Sequence, residues 1–135
     1  LIASLEIIET ISLKTIFLYT ACVWWTLGYD TIYAYQDRTD DINLNLKSTA
    51  IFFGDNGKAF VSLFYTLFIV FIGLSQYSIE FNFYNYIILF IILLVMLFFL
   101  RKWELESKNS SGYYFRSNNI IGLIIFLYLI FSNHV

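Results

Sequence analysis

Proline is absent from the 135 residues, and cysteine, methionine and histidine occur once each. Without proline, no ring locks φ or removes an internal N–H, so a long helix meets few kink sites. Cys22 alone offers no disulfide or zinc framework and reads as a small apolar side chain inside a span. The single histidine, His134, leaves no Ser-His-Asp set and reads as a tail residue at a membrane interface. No glycine-rich phosphate loop of the GxGxxG or P-loop kind is present. Charge is scarce, at 13% of residues with a net of −2. Binding nucleic acid needs a basic patch that displaces counterions, so that partner class is excluded.

Apolar side chains fill the space that charge leaves, with 59% hydrophobic and 21% aromatic residues, well above the share in soluble domains. Uncharged runs extend over Thr15–Tyr29, Ala59–Ile79, Phe81–Leu100 and Ser117–Asn133. A spanning helix needs about 20 mostly apolar residues. Three runs meet that length, and the first reaches it when Lys14 snorkels its ammonium to the interface. The expectation is an all-α polytopic membrane helical bundle with spans at about 13–29, 59–78, 82–100 and 117–133. Leu1–Ser12 opens without Met and without the basic start and cleavage site of a signal peptide, and it reads as the end of a preceding helix in a longer protein.

The stretch Asp30–Lys58 carries Arg38, Lys47 and Lys58, and Arg101–Arg116 carries four basic residues, whereas the link around Glu80 has none. Lys and Arg are retained on the cytoplasmic side, which places both basic loops there and the Glu80 link outside. Gly54, Asp55, Asn56 and Gly57 form the one strong turn cluster, just ahead of the second span.

Chemistry concentrates in YDTIYAYQDRTDDINLNLKST, Tyr29–Thr49, which holds Asp30, Asp37, Asp40 and Asp41 within twelve residues. On a helix continuing from the first span, Asp30, Tyr33, Asp37 and Asp41 fall at offsets of three, seven and eleven and form one stripe. Carboxylates brought together where lipid excludes water require a cation. Mg²⁺ suits the role, because it joins one or two carboxylates to substrate phosphates. Arg38 and Lys47 are close enough in sequence to neutralise remaining phosphate charge. The bland alternative is a solvated juxtamembrane face, with Arg38 and Lys47 touching anionic lipid.

At this segment the chain resembles the UbiA superfamily of intramembrane prenyltransferases, and within it the bacterial 4-hydroxybenzoate polyprenyltransferases of ubiquinone biosynthesis. The resemblance rests on YDTIYAYQDRTDD, on KSTAIFFGDN at Lys47–Asn56 and on SNNIIGLIIF near the last span, and it runs from about Ser12 to the C-terminus. It implies a nine-helix bundle with two aspartate-rich motifs, of which this chain carries the second and forms the C-terminal part. Asp37 and Asp41 match that motif's aspartates and so would bind Mg²⁺, and Lys47 matches the lysine of the following KS pair. The first motif is not found in these residues, so the resemblance implies an isolated chain that is inactive unless a separate N-terminal half supplies the rest. Asn45 stands where such proteins usually have glycine, and asparagine tolerates the left-handed backbone region that a turn there requires.

The implied reaction is a Friedel–Crafts-like alkylation in the bacterial inner (plasma) membrane. A polyprenyl diphosphate ionises, and its allylic cation is trapped by an electron-rich aromatic acid such as 4-hydroxybenzoate. Arg38 and Lys47 would assist the leaving group, and Tyr33 and Tyr35 could stabilise the cation. Asp30, Tyr33, Asn118 and Asn119 are further candidates for substrate contact. For the two asparagines, bridging between helices is the competing role, and Trp24 and Trp25 read as packing. Two other readings stay open: a non-catalytic fragment of an interrupted gene, and a small transporter subunit with a cation site. A transporter would place ionisable groups near the midplane of several spans, and these runs carry none.

Overall fold

The computed structural model describes residues 11–76 and 83–132. In chain order the helices are α1 (Leu13–Gln36), α2 (Arg38–Asn43), α3 (Thr49–Phe53), a 3₁₀ turn (Gly54–Asn56), α4 (Gly57–Ser75), α5 (Phe83–Leu100) and α6 (Lys108–Ser132). Three helical stretches are long and apolar enough to cross a membrane: Thr49–Ser75, Phe83–Leu100 and Lys108–Ser132. The protein is an all-α, multi-pass membrane bundle. The Glu80 link and His134 lie outside the described residues.

Of the expected spans, residues 13–29, 59–75, 83–100 and 117–132 are helical, whereas residues 77–78, 82 and 133 lie outside the described residues. At 24 residues α1 is long enough, at about 1.5 Å per residue, but it falls short of the apolarity of the other three stretches. Its threonines, tyrosines and Asp30 dilute its hydropathy. The helix compensates by packing, because it lies against both α4 and α6 and contributes Ala21, Ile32 and Tyr35 to the core. α6 starts nine residues ahead of Ser117, so the polar stretch Lys108–Arg116 is helical rather than a loop.

Hydroxyls inside these helices are satisfied along the chain. Thr31 Oγ1 donates to the Leu27 carbonyl at 2.7 Å, Ser62 Oγ to Lys58 at 2.7 Å and Thr66 Oγ1 to Ser62 at 2.8 Å. In lipid no water would take their place, so this back-bonding lets polar residues sit in a span. Ser12 caps α1, its Oγ accepting from the Thr15 N–H at 3.2 Å, an arrangement worth about 1 kcal/mol.

Aromatic stacking joins α1 to α4. Trp24 stacks on Phe64 and Trp25 on Phe68, each with centroids 5.8 Å apart, which gives both tryptophans the packing role expected of them. Gly28 permits the close approach, since a Cβ there would lie 2.6 Å from Tyr65 Cε1. The Tyr65 hydroxyl then donates to Asn118 Oδ1 on α6 at 2.7 Å, and Asn118 Nδ2 donates to the Tyr114 carbonyl at 2.9 Å. Asn118 is therefore a buried bridge between α4 and α6, whereas Asn119 is exposed.

Candidate active-site end of the bundle

The helix of the first span continues past Asp30, but it does not carry all four stripe residues. α1 stops at Gln36, and Asp37 has φ −107° and ψ 6°, with its N–H bonded to the Ala34 carbonyl. α2 restarts at Arg38, and the Asp41 N–H donates to the Asp37 carbonyl at 2.9 Å, which sets those two residues one turn apart. The bend therefore separates Asp30 and Tyr33 from Asp41 and corrects the single-helix stripe. Asp30 and Tyr33 are both exposed on α1, with the Tyr33 ring 5.0 Å from Phe115. The segment expected as a loop, 30–58, is largely helical, being made of the end of α1, α2, α3 and the 3₁₀ turn.

A turn ends α2 directly after the aspartates. Asn45 has φ +54°, and among the described residues no other non-glycine residue has a positive φ. The Asn45 N–H bonds to the Ile42 carbonyl at 3.1 Å and the Leu46 N–H to the Asp41 carbonyl at 2.9 Å, the paired bonds of a Schellman C-cap. The left-handed position expected at Asn45 is thus present. Lys47 comes two residues after Asn45 in the chain. Lys47 is exposed and, among the described residues, forms no ion pair.

The two basic loops meet at this end of the bundle. Lys58 Nζ donates to the Arg101 carbonyl at 3.2 Å, and Arg38 Nη1 donates to Glu106 Oε1 at 2.7 Å. Lys108 Nζ lies 3.3 Å from Asp40 Oδ2 and 3.6 Å from Asp37 Oδ1. Trp103, fully buried, anchors the α5–α6 link. Its Nε1 donates to Ser111 Oγ at 2.9 Å, and its ring meets Tyr35 edge-on at 5.1 Å. The Tyr35 hydroxyl donates to the Gly54 carbonyl. Burial, partly opposed by the Arg38 charge, pushes the Tyr35 phenol above its ordinary range, so it stays protonated and keeps donating.

Arg38, expected to help neutralise phosphate charge, is paired within the fold. Its side chain is only 18% exposed, is paired to Glu106, and lies 5.6 Å over the Tyr35 ring. That geometry makes it a tie between α2 and the α5–α6 link. A pocket of ≈ 170 Å³ opens beside it, lined among others by Tyr35, Thr39, Glu106 and Lys108. Lys108 and Glu106 are the residues that sequence reasoning missed. The basic residues of that link bore on topology alone, and nothing local ties Lys108 to an aspartate 68 positions away.

The donors match a hard divalent cation in kind. Asp37 and Asp41 are both half-buried, so both keep carboxylate oxygens partly accessible. Among the described residues no three His, Cys, Asp or Glu side chains converge. Two carboxylates one turn apart suit an ion that completes its shell with water and phosphate, as Mg²⁺ does, rather than one caged by protein.

The 4-hydroxybenzoate octaprenyltransferase of Marinobacter nauticus is 36% identical over 119 residues, covering 87% of this chain and 40% of the relative. The mitochondrial 4-hydroxybenzoate polyprenyltransferase of Arabidopsis thaliana is 39% identical over 109 residues, 81% of this chain and 27% of the relative. The octaprenyltransferase of Pasteurella multocida is 31% identical over 125 residues, 93% of this chain and 43% of the relative. The chain spans less than half the length of these relatives. No solved structure is detectably similar to it. Residues 1–130 match the UbiA prenyltransferase family description, so the chain belongs to the UbiA prenyltransferase family.

Proposed function

We propose that the chain is the C-terminal part of an enzyme that transfers a polyprenyl group from polyprenyl diphosphate to an aromatic acid, 4-hydroxybenzoate, in ubiquinone synthesis. The observation that carries this reading is the pair Asp37 and Asp41, set one turn apart by the Asp41 N–H bond to the Asp37 carbonyl and followed directly by the Asn45 turn. The names of the relatives supply the substrates. Asp37 and Asp41 would hold Mg²⁺, which offsets the charge that develops on the departing diphosphate. Lys47 binds the same diphosphate. Arg38 acts from its place against Glu106, holding the α5–α6 link over the site.

The allylic C–O bond breaks with its electron pair going to the diphosphate, the ring carbon beside the phenol oxygen bonds to the cation, and the ring proton is lost. Apolar helix walls keep water from the cation, and Tyr33, exposed on the last turns of α1, is the aromatic proposed to stabilise it. Asp30 and Asn119, both exposed, are the further proposed substrate contacts. Asn118 is committed to Tyr65 and Tyr114 and supports the site through the fold. The site end faces the cytoplasm of the bacterial inner membrane. A separate N-terminal half, as another chain or as preceding sequence, supplies the first aspartate motif. Alone, this chain does not turn over.

The test is a Mg²⁺ titration of prenyl transfer in membranes holding the whole gene product. Asp37→Asn or Asp41→Asn is expected to lower the rate roughly a hundred- to thousandfold, the effect of losing one transition-state contact of about 2.7–4 kcal/mol. Asp55→Asn, an equal loss of charge in the 3₁₀ turn, should change it little. Near-normal rates for Asp41→Asn at low Mg²⁺ would return these acids to the solvated-face reading.

A further inference from the structure

We infer that Lys108 is a diphosphate-binding residue of this site, contributed from the far side of the α5–α6 link. The inference rests on the function proposed above and adds a residue that neither the motif nor the resemblance supplied. Three observations carry it. Lys108 Nζ stands between Asp40, at 3.3 Å, and Asp37, at 3.6 Å. Its place is built rather than incidental, because the buried Trp103 pins the link from within and Arg38 pins it through Glu106 at 2.7 Å. Both ties lie within five residues of Lys108 in sequence.

The third observation is that helix stability does not account for a lysine there. Lys108 is the first residue of α6, where the positive end of the helix dipole disfavours a cation. Its partners are the half-buried Asp37 and the exposed Asp40, with side chains 36% and 62% accessible, and ion pairs this open to water contribute little to stability. What the position does achieve is electrostatic. One ammonium, joined by the positive end of a 25-residue helix, faces the carboxylates to which the diphosphate must come. The side chain is 58% accessible and has three rotatable donors on a flexible stem. When the carboxylates take up their metal, the ammonium can turn from carboxylate oxygen to phosphate oxygen without moving the helix.

The test measures equilibrium binding of radiolabelled inorganic diphosphate, at saturating Mg²⁺, to membranes holding the whole gene product, alongside the KM for polyprenyl diphosphate. Lys108→Gln should weaken diphosphate binding about ten- to hundredfold, the range for one charge-assisted hydrogen bond. The Mg²⁺ requirement should not rise, because the lysine competes for the carboxylates rather than completing the metal's shell. Lys108→Arg should recover most of the binding, which separates a lost cation from a damaged fold. Unchanged binding in Lys108→Gln, with binding lost in Asp37→Asn, would overturn the inference and leave the proposed function standing. Unchanged binding in both variants would remove the two together.

Discussion

Asn45 shows how much one backbone position can carry. Its φ of +54° closes the C-cap of α2, and through the Leu46 N–H it fixes the carbonyl of Asp41. For an L-residue with a Cβ the left-handed region costs roughly 1–2 kcal/mol, a penalty that glycine escapes and asparagine softens. Asn45→Gly should therefore leave thermal stability in detergent unchanged or slightly raised, whereas Asn45→Val should lower it by about 1–2 kcal/mol and loosen Lys47. Equal stability of the two variants would show that the turn relaxes without this conformation. The position was legible from sequence because the residue type itself carries the backbone preference. Arg38 was not, because its role depends on Glu106, which only the folded chain brings near.

Uncharged length, read from sequence, coincides with the middle of each of the four long helices among the described residues. The match fails at their ends for a physical reason: polar helix outside the membrane has no hydropathy signature. The Lys108–Arg116 extension of α6 and the helical content of 30–58 are stabilised by caps and packing, such as the Ser110 N–H bond to Ser107 Oγ at 3.2 Å, rather than by apolar periodicity. The bend at Asp37 had no warning, since the segment has neither proline nor glycine. Between helices, the Tyr65–Asn118 bond is a buried polar link of α4 to α6. A double-mutant cycle of Tyr65→Phe and Asn118→Leu should give a coupling of about 0.6–1.7 kcal/mol, the range for hydrogen bonds between membrane helices. Additive effects would deny the link. Gly28→Ala forces the Tyr65 ring to shift and should cost about 1–3 kcal/mol, read from the same unfolding measurements.

On the scale of the whole molecule, the meeting of the two basic loops agrees with the sequence expectation that they share one side of the membrane. With Cys22→Ser as background, cysteines placed at Asn56 and Asn109 should resist an impermeant thiol reagent in intact cells, while one at Asn82 should react. Strong labelling at Asn56 with none at Asn82 would invert the topology. We propose a division of labour in which this chain supplies the second-motif part of a prenyltransferase. Its most direct measurement replaces the matched region of the Marinobacter nauticus relative with this chain and assays prenyl transfer to 4-hydroxybenzoate. The chimera should transfer the prenyl group in a Mg²⁺-dependent way, while the chain by itself in nanodiscs transfers none. A chimera that inserts and accumulates normally but stays inactive, or turnover by the chain alone that a chelator abolishes, would contradict the account.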